Sequence, residues 1–128
     1  MIRVGFVGTG NITGRHFTAL GKLREQAEVV AVCDVIEERA IAAAQPFGAK
    51  VYLSFPQMLA KEQLDALYVC LPPDAHVDQE LAAIDRDIHL FVEKPLPLDL
   101  TKATFIAGRF LALRAVCCRS QCRAVAAL

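Results

Sequence analysis

The chain has no net charge, no internal repeat, no low-complexity linker, and no apolar run of the roughly 18 residues that a membrane-spanning helix needs. Each absence removes a class of function. Fourteen Lys and Arg against fourteen Asp and Glu leave no electrostatic footprint for nucleic acid or an acidic membrane. The amino terminus, Met1-Ile2-Arg3-Val4-Gly5-Phe6-Val7-Gly8, lacks the layout of a signal peptide, because its apolar stretch stops at a glycine turn with no cleavage site. A cytoplasmic protein is expected. Hydrophobic residues make up 55% and charged residues 22%, which excludes disorder as the main state. The 128 residues suit one domain. A domain of this size buries roughly two-thirds of its unfolded surface and folds without staples.

The charge balance is uneven along the chain. Residues 1–99 hold nine basic and all fourteen acidic residues, whereas residues 100–128 hold Lys102, Arg109, Arg114, Arg119 and Arg123 and no acid. Of five cysteines, Cys33 and Cys70 sit in apolar, strand-like runs and read as buried thiols. Cys117, Cys118 and Cys122 crowd the tail. An odd count without a secretion signal argues against a disulfide framework. Three thiols without a suitably placed fourth ligand are a weak zinc signal, so no metal is assigned.

Five short apolar runs, Ile2 to Val7, Val29 to Cys33, Val51 to Leu53, Ala66 to Leu71 and His89 to Val92, alternate with helix-length segments. The first, second and fourth are near-continuous in apolar residues, as strands buried on both faces are. Helices are predicted from Ile12 to Leu23, from Glu37 to Ala44, from Phe55 to Lys61, from Asp74 to Ile84, and from Leu100 onward with Thr101 or Asp99 as cap. Pro46 and Gly48 stop the second of these. Strand and helix in alternation give right-handed crossovers. The fold class is therefore α/β, a doubly wound parallel sheet with helices on both faces.

Gly8-Thr9-Gly10-Asn11-Ile12-Thr13 lies where the first strand meets the first helix. In such a turn the first glycine permits the bend, the second lets the backbone approach a pyrophosphate, and a small third residue packs helix on strand. The helix N-terminus adds free N–H groups and partial positive charge. Thr13 holds the third position, with Gly14 next, which departs from a strict GxGxxG. Alone, the turn fits a plain strand-to-helix connection equally well.

Asp34 ends the second strand, 24 residues after Gly10. That is close to the roughly 20-residue spacing of the acid that takes the adenosine ribose hydroxyls. A carboxylate there repels a 2′-phosphate and favours NAD over NADP. It can also cap the following helix, and Arg39 reads as an exposed helix residue. In this fold ligands sit at the carboxyl ends of the strands, at the switch point between the first and fourth. The glycine turn, Asp34, Leu71-Pro72-Pro73-Asp74-Ala75-His76 and Glu93-Lys94-Pro95 all fall on that edge.

Taken together, Gly8-x-Gly10-Asn11-Ile12 with His16, Asp34 followed by Glu38-Arg39-Ala40, Pro72-x-x-x-His76 and Glu93-Lys94-Pro95 resemble the glucose–fructose oxidoreductase / inositol dehydrogenase / MocA family. Those are NAD(P)-dependent oxidoreductases with an N-terminal Rossmann domain and a C-terminal substrate domain. The resemblance covers about residues 2–106. It implies that Gly8, Thr9, Gly10, Asn11 and Ile12 hold the pyrophosphate and Asp34 the adenosine ribose. It implies that Cys70, Leu71, Pro72 and His76 line the cofactor cleft. The family often has Ser or Thr at the position of Leu71, so one hydroxyl contact is absent. Glu93 and Lys94 would face the nicotinamide ribose and a sugar, polyol or related carbinol substrate. Lys94 would be the catalytic residue, holding or accepting the carbinol proton as hydride leaves. His16 reads as helix packing, and Asp87 stands where the family usually has a helix-ending glycine.

Residues 107–128 depart from that pattern. Their arginines scatter around a helix instead of sharing a face. The abrupt change of composition is what a shifted reading frame produces. Without a sixth strand, the fifth would be an exposed sheet edge that invites self-association. Without a substrate domain, Lys94 lacks the positioning that supplies much of an enzyme's rate. Three readings stand open at this point. They are the cofactor domain of an oxidoreductase, a non-catalytic NAD-binding module, and a nonfunctional product.

Overall fold

The computed structural model describes residues 1–93 together with Thr101, Thr104, Gly108, Val116 and Cys117. The elements in order are β1 (Ile2–Val7), α1 (Thr13–Gly21), β2 (Ala27–Cys33), α2 (Glu37–Ala44), β3 (Lys50–Tyr52), α3 (Phe55–Lys61), β4 (Ala66–Val69), α4 (Gln79–Ile84), β5 (His89–Val92) and β6 (Val116–Cys117). Short 3-10 turns at Gln45–Phe47 and Pro73–Ala75 precede β3 and α4. The strand order is β3-β2-β1-β4-β5-β6, and every pair is parallel. The chain winds outward from β1 in one direction, then returns to β4 and continues in the other. The switch point lies between β1 and β4, as expected of the doubly wound fold. No described helix is long and apolar enough to cross a membrane.

Two apolar layers sandwich the sheet. On one face Val4, Phe6, Val29 and Val32 pack against Leu20 of α1 and Ala44 of α2. On the other, Val7, Ala31, Cys33, Leu67, Val69, Leu90 and Val92 pack against Met58 and Leu59 of α3 and Ala83 and Ile84 of α4. Side chains alternate faces along a strand, yet Val29 and Val32, three residues apart, share one. The ladder explains this: Val4 pairs with Val29 but Gly5 pairs with Ala31, so Val30 is an extra residue in β2, a β-bulge that shifts the alternation by one. Across the first face, Phe6, Tyr68 and Phe91 stand in register on β1, β4 and β5. Their rings stack with centroids 4.6 and 4.7 Å apart.

Three expectations need correction. The segment from Asp74 to Ile84 is not one helix. The chain makes a 3-10 turn, extends at His76 (φ −73°, ψ 112°) and restarts as α4 at Gln79. The cause is His76 itself, whose ring turns into the interior instead of following a helix face. The fourth strand ends at Val69, two residues short of Leu71, because the chain then turns over the sheet edge. The fifth strand is also not the sheet edge. Val116 and Cys117 pair with Phe91 and Val92, so the exposed edge that suggested self-association is covered there by β6. The remainder of the basic tail, with Cys118 and Cys122, and the caps expected at Asp99 or Thr101 fall largely outside the described residues.

Candidate dinucleotide site

Gly8 leaves β1 with φ +85°, a conformation that glycine adopts without penalty. Its amide donates to the Cys33 carbonyl at 2.9 Å, while the Cys70 amide donates to the Val7 carbonyl at 2.8 Å. The turn is thus stitched to β2 on one side and to the end of β4 on the other. A Cβ on Gly8 would lie 2.3 Å from the Cys70 carbonyl oxygen, so the fold itself demands glycine. Gly10 differs. A Cβ there would meet nothing within 4 Å, and its φ is not in the left-handed region. Nothing inside the chain requires glycine at 10, but a ligand resting on the backbone would.

Thr13 begins α1 and is 1% exposed. Its hydroxyl donates to the Gly8 carbonyl at 3.4 Å, and its hydroxyl also meets the Cys70 thiol. The third position of the fingerprint therefore does its packing work with threonine. Thr13 N–H bonds back to the Gly10 carbonyl at 3.0 Å. No side chain caps α1, and among the described residues nothing accepts from the amides of Gly10, Asn11 or Ile12. Those N–H groups are left at a helix N-terminus, the end that favours an anion. Asn11 and Ile12 are both exposed.

Asp34 follows β2 and faces this turn. Its Oδ2 accepts from the Thr9 amide at 2.9 Å and the Thr9 hydroxyl at 2.6 Å. Its Oδ1 accepts only from the Ile36 amide, at 2.9 Å. That last bond is an Asx turn, so Asp34 supports the start of α2 without being its cap residue, which is Ile36. Partial burial pushes the carboxyl up. The hydroxyl and two amides that hydrogen-bond it, with the nearby Arg39 charge, outweigh burial and leave it below its usual range. The carboxylate is therefore anionic at neutral pH, with a lone pair of Oδ1 free to accept.

These groups open on one cleft of about 500 Å³. Gly8, Thr9, Gly10, Asp34, Cys70, Leu71 and Pro72 of the expected site line it. So do Arg39, Val35, Ile36 and Leu53, which sequence reasoning left out of the site. Val35 is 87% exposed. A run of two apolar residues straight after Asp34, with no core for them to enter, was the available signal.

Four expected residues are not among those that line it: Asn11 and Ile12, exposed in the turn beside it, and His76 and Glu93. His76 has a fully buried side chain. Its Nδ1 faces Glu80 and its Nε2 donates to the Leu71 carbonyl at 3.1 Å. It supports the Leu71-Pro72 wall from beneath instead of lining the cleft. The Glu80 partner was missed, although the four-residue spacing in the following helix was visible. Burial alone would lower His76, but the Glu80 hydrogen bond and charge and the Leu71 carbonyl raise it. Glu93 is 7% exposed and bonds His16 at 2.8 Å. Lys94 and Pro95 lie outside the described residues. Burial pushes the Cys33 thiol up to about 11 and the Cys70 thiol up to about 12, with the Asp34 and Glu93 charges adding to each. Neither is a nucleophile at neutral pH. Among the described residues no cluster of His, Cys, Asp or Glu could hold a metal.

The residues present fit a dinucleotide. Unpaired amides at the start of α1 suit a phosphate, Gly10 leaves room for one, and a fixed carboxylate stands one strand away. Comparison with known proteins gives the same answer. The oxidoreductase family model described as an NAD-binding Rossmann fold matches residues 2–110, past the boundary that the motifs set at residue 106. Inositol 2-dehydrogenase/D-chiro-inositol 3-dehydrogenase of Lacticaseibacillus casei is 37% identical over 113 residues, 87% of this chain and 33% of that protein. The structure of myo-inositol dehydrogenase from Lactobacillus casei with NAD(H) and myo-inositol superposes with a TM-score of 0.76 at 37% identity, covering 88% of this chain and 34% of that one. The WlbA dehydrogenase from Chromobacterium violaceum, solved with NADH and UDP-GlcNAcA, gives a TM-score of 0.80 at 28% identity over 91% of this chain and 34% of that one. The chain spans about a third of the length of the relatives it matches. With its glycine turn, its acid after β2 and its sheet order, the chain belongs to the glucose–fructose oxidoreductase / inositol dehydrogenase / MocA family, as that family's NAD-binding Rossmann domain.

Proposed function

We propose that this chain holds NAD in preference to NADP and serves hydride exchange with a sugar, polyol or related carbinol. The observation that carries the reading is the convergence of two unsatisfied groups on one cleft. They are the Gly10 amide, in the turn before α1, and the second lone pair of Asp34 Oδ1. The Gly10, Asn11 and Ile12 amides would take the pyrophosphate. Asp34 would accept from the adenosine ribose, with Thr9 holding the carboxylate in place. Val35, Ile36 and Leu53 would form the apolar wall for the base. Arg39 is adjacent, but a 2′-phosphate would have to sit against the Asp34 carboxylate, at a cost that favours NAD.

NAD supplies the hydride acceptor. The protein's part is to bind, orient and handle the proton. Lys94, two residues beyond the end of β5 in the sequence, is the residue proposed to accept or hold the carbinol proton. Calorimetric titration tests the cofactor half. NAD should bind with at least about tenfold preference over NADP, a gap of about 1.4 kcal/mol. Equal or tighter NADP binding would overturn the assignment of Asp34. The chemical half is tested in a natural form of the protein that turns over a polyol or sugar. There Lys94→Ala should lower kcat by far more than it weakens NAD binding.

A further inference from the structure

Glu93 is the best-anchored residue at the carboxyl end of β5, and its partner comes from the opposite side of the switch point. Its amide donates to the Val69 carbonyl at 2.9 Å, fixing the main chain to the end of β4. Its carboxylate is almost fully buried and meets His16 Nε2 at 2.8 Å. A buried carboxylate without a donor is costly. Among the described residues, His16 is the one that supplies a hydrogen bond to it. His16 in turn is held by rings. It lies 4.9 Å from Phe91 in an edge-to-face arrangement and 5.3 Å from Tyr68, on top of the stacked row that crosses β1, β4 and β5. If His16 were packing alone, leucine would serve there equally well. The geometry is that of a strut, running from the helix that carries the glycine turn to the last residue before Lys94.

We propose that His16 is a positioning residue: through Glu93 it fixes the end of β5 on the side of the switch point that takes the nicotinamide half of the dinucleotide. This rests on the NAD reading above. Asp34 lies after β2 and Glu93 after β5, on opposite sides of the switch point. The dinucleotide spans that point, so the adenosine half falls to Asp34 and the nicotinamide half to the Glu93 side. Loss of the strut should therefore affect one half of the ligand and spare the other.

The test titrates the 128-residue chain with NAD and with ADP, which keeps the adenosine and pyrophosphate and lacks the nicotinamide ribose. His16→Leu removes the hydrogen bond and keeps the packing volume. His16→Asn, too short to reach Glu93, is a second loss variant should leucine impair folding. His16→Gln places a side-chain amide near the position of Nε2 and can donate as histidine does. The expected result is about tenfold weaker NAD binding in the loss variants, unchanged ADP binding, and recovery to within about threefold in His16→Gln. Equal loss for both ligands, no loss for either, or failure of glutamine to recover NAD binding would overturn the positioning role. A wild-type chain that binds neither ligand would overturn the nucleotide reading itself, a different failure from the first.

Discussion

Thr9 and Asp34 hold one another across the mouth of the cleft: one carboxylate oxygen accepts both the amide and the hydroxyl of Thr9, at 2.9 and 2.6 Å. The turn after β1 and the end of β2 are thereby locked together without a ligand. If Asp34 takes the ribose as proposed, its carboxylate is already held in place before binding, which lowers the ordering cost of binding. This relationship also assigns Thr9 more than a place in the pyrophosphate turn.

Asp34→Asn should separate charge from shape. The amide can still accept from Ile36, but it carries no charge and offers one acceptor oxygen instead of two. NAD affinity should fall about tenfold, and the preference over NADP should shrink or reverse. Paired titrations with the two nucleotides measure both effects.

The two glycines of the turn should fail in different ways. Gly8→Ala forces a Cβ against the Cys70 carbonyl at a left-handed φ, and should lower unfolding free energy by about 2–4 kcal/mol. Gly10→Ala meets no protein atom, so its melting temperature should stay near wild type while NAD binding drops at least about tenfold. Chemical denaturation and calorimetry on the two variants distinguish a structural glycine from a ligand-facing one.

The His76–Glu80 pair predicts a pH dependence of stability. The Leu71 carbonyl can only accept, so His76 Nε2 must donate. With Nδ1 facing a carboxylate, the favoured state is a doubly donating imidazolium. Its raised folded value means that its stabilisation is complete below the unfolded histidine value of about 6.5 and is lost as pH rises through the folded value. Unfolding free energy should therefore decline as pH rises above about 6.5. Glu80→Gln, which removes the charge, should flatten that decline. Denaturant melts between pH 5 and 9 read it directly.

Asp87 adopts φ 56° just after α4, with its amide on the Ile84 carbonyl and the Ile88 amide on the Ala83 carbonyl. This is a left-handed helix stop at which glycine carries no Cβ penalty. Asp87→Gly should raise stability by about 0.5–1 kcal/mol. The family resemblance implies a helix-ending glycine at this position. The structure supplies the reason.

Much of the fold was legible because it depends on short-range pattern. Ile2–Val7 and Glu37–Ala44 have the bounds that their composition suggested. Gly8 and Asp34 were legible because a turn and an acid at fixed spacing carry their own chemistry. What escaped depended on how the chain packs in three dimensions, and not on local pattern. His76 interrupts a helix-like segment because Glu80 and the Leu71 carbonyl draw its ring inward. His16 read as packing because Glu93 is 77 residues away. The β2 bulge is invisible in a run of valines, since any of them can face either side. The strand at Val116–Cys117 lies in a segment whose composition suggested no element at all.

The cleft at the carboxyl ends of β1, β2 and β4 is the proposed dinucleotide site. The most direct measurement is a crystal structure of the chain grown with NAD. The pyrophosphate is expected on the amides of Gly10, Asn11 and Ile12, the adenosine ribose hydroxyls on Asp34, and the base against Val35, Ile36 and Leu53. Nucleotide bound elsewhere on the molecule, or no nucleotide at saturating concentration, would contradict that proposal.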